Sequence, residues 1–155
     1  MLTEQASAVD AWARLLRGHA SATRELSAQL VTEHGLTIND YEALLYLSRA
    51  EEGRMRRVDL AEQLLLTASG VTRLLDGLER AGLVERASCA SDRRVTYAVL
   101  TAAGRTKLQE ASESHLAGVR ALFEERFTSE EIVQLASLLE RLPEAAGATA
   151  ADCSP

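Results

Sequence analysis

Val58-Asp-Leu-Ala-Glu-Gln-Leu-Leu-Leu-Thr-Ala-Ser-Gly-Val-Thr-Arg-Leu-Leu-Asp-Gly-Leu-Glu-Arg-Ala-Gly-Leu-Val84 decides the fold, together with the Cys89-Ala-Ser-Asp92-Arg93-Arg94 tip that follows it. A short helix over Asp59–Leu65 turns Leu60, Ala61 and Leu64 inward. Thr67 then caps a second helix that runs to about Ala81, where Gly82 stops it. In that helix Val71, Leu74, Leu75 and Leu78 fall at i, i+3, i+4 and i+7, a stripe that must face a core. Two extended segments come next, Leu83–Ala87 and Val95–Leu100, with β-branched residues concentrated in the second arm. A helix pair running into an Arg-tipped hairpin has the order of a DNA-binding winged helix.

Charge agrees once it is counted locally. The chain of 155 residues has a formal net charge of −6, which by itself argues against a nucleic-acid partner. Residues 54–107, however, hold ten Arg/Lys against six Asp/Glu, a net of +4, while the remainder holds seven against seventeen. Positive charge is concentrated where phosphate would lie. Sixteen of the seventeen basic residues are Arg, the side chain better suited to phosphate and base edges.

Working outward, residues from about Gln5 to His34 form one long helical pattern, with Gly35 as a left-handed stop. Thirty helical residues would extend about 45 Å, more than a compact domain of this size spans, so part of this helix should pack on something beyond its own core. Thr37-Ile-Asn-Asp40 opens another helix in which Ile38, Tyr41, Leu44, Leu45 and Ser48 share a face, ended by Glu51-Glu52-Gly53. A short Met55–Arg57 segment precedes the Asp59 helix. After the hairpin, Thr101 caps a long helix to about Phe127, and Thr128-Ser-Glu-Glu131 is a capping box for a last one that ends before Pro143. The expected fold is mainly α: about six helices plus a two- to three-stranded wing. Residues 1–36 and 101–142 are expected to form a helical dimerisation region, 37–100 a winged helix-turn-helix lobe, and 143–155 a disordered tail.

The face of the fourth helix opposite its apolar stripe carries Ser69, Arg73, Asp76 and Arg80, with Thr72 on the flank. Small polar groups near a helix N-terminus, plus a long Arg, suit entry into a major groove. Arg73 is therefore expected to contact base or phosphate, and Thr67, Ser69 and Thr72 to make shorter hydrogen bonds. In the wing, Arg86, Arg93 and Arg94 are read as a cluster that a narrow minor groove would attract. Asp92 is a poor phosphate partner, and its expected work is to pair with an Arg and hold the tip in shape.

These residues resemble the MarR family of winged helix-turn-helix regulators. The resemblance is carried by Asp59-Leu-Ala-Glu-Gln-Leu64, Val71-Thr-Arg-Leu-Leu-Asp76, Leu78-Glu-Arg-Ala-Gly-Leu-Val84, Asp92-Arg-Arg94 and Leu100-Thr-Ala-Ala-Gly-Arg105, and it extends over about Trp12 to Leu142. It implies that Asp92 and Arg94 form the family's Asp-x-Arg wing motif, with Arg94 in the minor groove. Two departures stand out. Leu65 occupies a turn position where many members have Gly, and Gly70 stands where Ser or Thr is usual, leaving only backbone for contact.

The resemblance further implies a homodimer. The fifth helix has a seam of Leu108, Ala111, His115, Val119, Leu122 and Phe123, and the sixth has Ile132, Leu135, Ala136, Leu138, Leu139 and Leu142, more than one winged-helix lobe can cover. Two recognition helices about 34 Å apart would then read a pseudo-palindromic duplex DNA site, most simply as a repressor. The resemblance also implies a small effector, often aromatic or anionic, bound between dimer helices and DNA lobe. Trp12, Leu16 and His19 on one face of the first helix, with Tyr46 on the second, are the residues expected to line such a pocket.

Cys89 offers an alternative, a thiol-based redox switch, because Arg86, Arg93 and Arg94 beside it would favour the thiolate; Cys153 is the sole other cysteine. A winged helix that binds protein rather than DNA is the remaining alternative. No catalytic residues are expected: His19, His34 and His115 are scattered without carboxylate or Cys partners at recognisable spacing, and there is no Gly-rich phosphate loop. No metal or cofactor is expected. No apolar run reaches the ~18–20 residues of a membrane span and no signal-peptide pattern opens the chain, so a cytoplasmic protein is expected.

Overall fold

The structure, a computed structural model, describes residues 7–143. The first residues of the expected opening helix, the expected tail beyond Pro143 and Cys153 lie outside the described residues. Among these residues the chain forms α1 (Ala8–His34), α2 (Ile38–Arg49), a 3₁₀ turn (Glu51–Gly53), β1 (Arg54–Arg56), α3 (Arg57–Gln63), α4 (Ala68–Arg80), β2 (Val84–Ser88), β3 (Thr96–Leu100), α5 (Ala102–Glu124) and α6 (Ser129–Leu139).

Local chemistry sets the helix ends. Ser7, Thr37 and Thr128 each cap a helix while the carboxylate three residues on, Asp10, Asp40 or Glu131, accepts the cap's own N–H. Asp40 therefore closes the box that Glu or Gln usually closes. Thr67 and Thr101 cap α4 and α5 through the N–H groups of Gly70 and Gly104. At the end of α1, Gly35 adopts φ 68°, the left-handed conformation that lets its N–H return to Val31 O at 2.9 Å.

The sheet is antiparallel with order β1-β3-β2. Its third strand is the segment before α3: Arg54 lies opposite Val99, Met55 opposite Ala98 and Arg56 opposite Tyr97. On the other side Val84 pairs with Leu100, Arg86 with Ala98 and Ser88 with Thr96. The base of the wing is joined to α5 by two hydrogen bonds, Thr101 N–H to Leu83 O at 3.1 Å and Thr101 O–H to Gly82 O at 2.7 Å. Gly104 makes this approach possible, since a Cβ there would sit 2.1 Å from Leu83 O.

One apolar cluster runs through the lobe and into the long helices. It joins Leu30 and Leu36 to Leu44, Leu47, Leu60, Val71, Leu75, Leu78, Val84, Leu100, Leu108 and Ala111. Full burial of each large side chain here stabilises the fold by about 1.5–3 kcal/mol relative to exposure. The buried face of α2 is broader than one stripe. Tyr41, Ala43, Leu44 and Leu47 are buried while Ile38 and Leu45 are only partly so, because α1, α3, α4, α5 and the sheet all pack against this helix. In α4, Leu74 is half-buried where the stripe placed it fully inside.

The long helices behave differently. Of the 27 residues of α1 only Leu30 is buried, and α6 buries none. Trp12, Leu16, Leu116, Val133 and Leu138 stand exposed along α1, α5 and α6, and Leu142 just beyond α6.

Candidate nucleic-acid interface

Helix α4 is held from inside by Val71, Leu75 and Leu78. At its N-terminus Thr67 Oγ1 accepts from Gly70 N–H at 3.1 Å and shares a hydrogen bond with Ser69 Oγ at 3.2 Å. Thr72 donates its hydroxyl to Ala68 O at 2.8 Å. Thr67 and Thr72 are thus already bonded to the backbone of their own helix, while Thr67, Ser69 and Arg73 are exposed at this end. Gly70 presents backbone alone, and a Cβ there would lie 3.2 Å from Thr67 Oγ1. Leu65, in the turn between α3 and α4, has φ 54° and is 80 % exposed. That is the left-handed conformation that glycine adopts without cost and that a leucine adopts only with strain.

At the wing tip, Cys89 N–H bonds Val95 O at 3.2 Å and Val95 N–H bonds Asp92 O at 3.1 Å, closing the turn. Asp92 Oδ1 accepts from the backbone N–H of Arg94 at 3.0 Å and from its Nε–H at 3.3 Å. Arg93 and Arg94 both project into solvent.

Arg86 is placed elsewhere. It sits midway along β2, ion-paired to Asp76 and, at 2.8 Å, to Glu79, both on α4. The guanidinium expected at the tip is committed to two carboxylates at the wing's base. This also alters the account of Cys89. Its thiol is held below the ordinary value, but through the Ser91 hydroxyl at 3.1 Å first and then the Ser91 and Asp92 backbone amides. The neighbouring arginines do not contribute, and the Asp92 charge opposes the effect.

The four residues expected to line an effector pocket are only partly brought together. Trp12 and Leu16 are 61 % and 52 % exposed on α1. His19, also exposed, lies 3.5 Å from Thr23 Oγ1. Burial raises the carboxyl of Glu42 on α2, with His19 opposing that shift, and burial together with the Glu42 charge raises Tyr46. Glu42 is thus near enough to both His19 and Tyr46 to feel their charges. Sequence reading missed it, because a single carboxylate on an amphipathic helix carries no signal until its neighbours are known.

A second polar group lies where α1, α2 and α5 meet. Tyr41 O–H and Ser112 Oγ are 3.0 Å apart, His34 Nε2 and Ser114 Oγ 2.7 Å, and the His115 ring packs on Tyr41 with centroids 4.5 Å apart and planes tilted by 55°. His115 Nδ1 is buried without a hydrogen-bond partner, and burial holds the imidazole below its ordinary pKa. Among the described residues no group of three or more His, Cys, Asp or Glu is arranged to hold a metal ion, and no helix is long and apolar enough to cross a membrane.

Residues 34–95 match the sequence profile of the MarR family. The HTH-type transcriptional repressor YetL of Bacillus subtilis is 31 % identical over 112 residues, covering 70 % of this chain and 66 % of that repressor. AbsC, a MarR family transcriptional regulator from Streptomyces coelicolor, is 34 % identical, with 94 % of this chain and 99 % of that one covered at a TM-score of 0.74. Another MarR family regulator from the same organism, solved in complex with DNA, is 27 % identical, with 86 % and 84 % covered at a TM-score of 0.80.

Proposed function

The chain belongs to the MarR family of DNA-binding transcriptional regulators, and from that premise we propose that it is a homodimeric repressor, released from a pseudo-palindromic operator by a small effector. The observation that carries the DNA half of this reading is the Asp92–Arg94 wing tip together with an α4 whose N-terminal end exposes Ser69 and Arg73. In the proposed complex Arg73 reaches base edges or phosphate, Ser69 makes a short contact, and Thr67 and Thr72 act chiefly by fixing the helix end. Arg94 enters the minor groove with Arg93 on the adjacent phosphates. Binding to random duplex DNA at low salt tests this against a protein-binding winged helix, which would show none.

Dimerisation is supported by the apolar side chains left exposed along α1, α5 and α6. Sedimentation equilibrium should return the mass of two chains. The effector half is supported by the half-buried Glu42, whose carboxyl interacts with the charges of His19 on α1 and Tyr46 on α2, and by the exposed ring of Trp12 on α1. Small aromatic acids and their esters, titrated into the protein–operator complex, test it: a releasing ligand whose effect is lost in His19→Ala or Tyr46→Phe supports the pocket.

Release by oxidation at Cys89 is a second reading, favoured by the thiol's lowered pKa. Peroxide that releases wild type and Cys89→Ser equally would discard it.

A further inference from the structure

We propose that Arg86 is a positioning residue for DNA binding, and that its ion pairs to Asp76 and Glu79 set the angle at which the wing leaves the recognition helix. The proposal rests on the reading of α4 and the wing as the DNA-contacting parts.

Strand alternation puts Arg86 on the same sheet face as Val84, opposite the buried Ala98. Val84 belongs to the apolar core, but two residues further along β2 that core has ended. The packing there is incomplete. A notch of about 10 Å³ lies between α4 and the sheet, with Thr72, Leu75, Arg86 and Thr96 among its walls. On β2 the apolar contact thus ends with Val84, and the ion pairs of Arg86 continue along that strand in its place.

Their geometry fixes an orientation as well as a separation. Arg86 Nη2 meets Asp76 Oδ1 while Nε meets Glu79 Oε2, so two different donors of one planar group engage carboxylates one turn apart on α4. Three residues, Ala87 to Cys89, carry the strand from Arg86 to the point where the tip turn closes, an arm of about 10 Å. A tilt of about 10° at its base would carry the tip about 2 Å, which exceeds the tolerance of a hydrogen bond. Arg94 then misses the minor groove although nothing at the tip itself has changed.

The sign of one substitution separates this role from simpler ones. Asp76 and Glu79 are carboxylates on the helix that faces DNA. If Arg86 only neutralised them, or itself touched phosphate, Asp76→Asn and Glu79→Gln would leave binding unchanged or tighten it, since negative charge is removed near phosphate. As parts of a clamp, each should weaken it.

The experiment measures operator affinity of the full-length protein by fluorescence anisotropy, with hydroxyl-radical footprints of the same complexes. Expected are losses of about two- to fivefold for Asp76→Asn and Glu79→Gln and about five- to tenfold for Arg86→Ala, given the usual strength of half-exposed pairs. Minor-groove protection at the site flanks should fade while major-groove protection persists, a pattern that general destabilisation of the fold does not produce. The double variant Arg86→Ala/Asp76→Asn should bind no more weakly than Arg86→Ala alone, and Arg86→Lys should restore charge without restoring flank protection. Equal or tighter binding by Asp76→Asn and Glu79→Gln would overturn the proposal. So would an Arg86→Ala footprint identical to wild type with a salt slope reduced by about 0.9, the mark of one lost phosphate contact. Failure of the wild-type protein to bind any duplex would instead remove the DNA reading, and this proposal with it.

Discussion

Asp92 holds Arg94 at both ends: one carboxylate oxygen accepts the residue's backbone N–H at 3.0 Å and its side-chain Nε–H at 3.3 Å. The outer guanidinium nitrogens stay free and the side chain is 92 % exposed. A flexible side chain is thereby restricted before any partner arrives, which lowers the entropy it must lose on insertion into a groove.

Arg94→Ala should therefore weaken operator binding by about 1–3 kcal/mol. Its thermal midpoint should match wild type, since no core contact is removed. Anisotropy titrations beside thermal melts check both halves, and unaltered affinity would remove Arg94 from the interface.

Gly104→Ala should destabilise the fold. The new Cβ would lie 2.1 Å from Leu83 O and 2.7 Å from Leu100 Cδ1, where backbone must give way at the joint between wing and α5. A loss of about 2–3 kcal/mol is expected in urea unfolding, in the upper range of overpacking costs. A midpoint equal to wild type would show that this joint yields freely.

Leu65→Gly should do the opposite. The position is exposed with φ 54°, so no packing is lost and the left-handed cost is relieved, offset in part by the greater freedom of Gly in the unfolded chain. A gain of about 0.5–1 kcal/mol is expected by chemical denaturation, and a loss would mean that the Leu65 side chain makes contacts in the dimer.

His115 makes stability depend on pH. Burial keeps its imidazole neutral below the ordinary pKa of 6.5, so in that range the unfolded chain binds a proton that the folded chain does not. The contribution of this residue is complete above pH 6.5 and declines as the pH falls from there toward the folded value. Urea midpoints at pH 7.5 and 5.5 should diverge more for wild type than for His115→Phe; equal divergence would assign the pH dependence to other groups.

The helix ends were legible because each is written within four residues: Thr37 with Asp40, Thr128 with Glu131, and Thr67 with the Gly70 amide. The bond between Asp92 and Arg94 was legible for the same reason, spanning two residues. What escaped depends on distant partners. Arg54–Arg56 becomes a strand only because β3, more than forty residues on, lies beside it. Arg86 reads as one more basic residue near a basic tip until the fold brings Asp76 and Glu79 under it. Trp12 and Leu16 lie on the helical face that periodicity assigns them, yet a single chain leaves that face in solvent.

The central claim, a two-fold protein gripping DNA through α4 and the Arg94 wing, is tested most directly by footprinting genomic fragments that the full-length protein retains, with affinity measured at 50 and 200 mM salt. The account predicts two protected half-sites related as a pseudo-palindrome, with centres about 34 Å apart, and an affinity that falls about 10³–10⁵-fold across that salt range. A single protected half-site, or an affinity on a protected site that barely responds to salt, would contradict it.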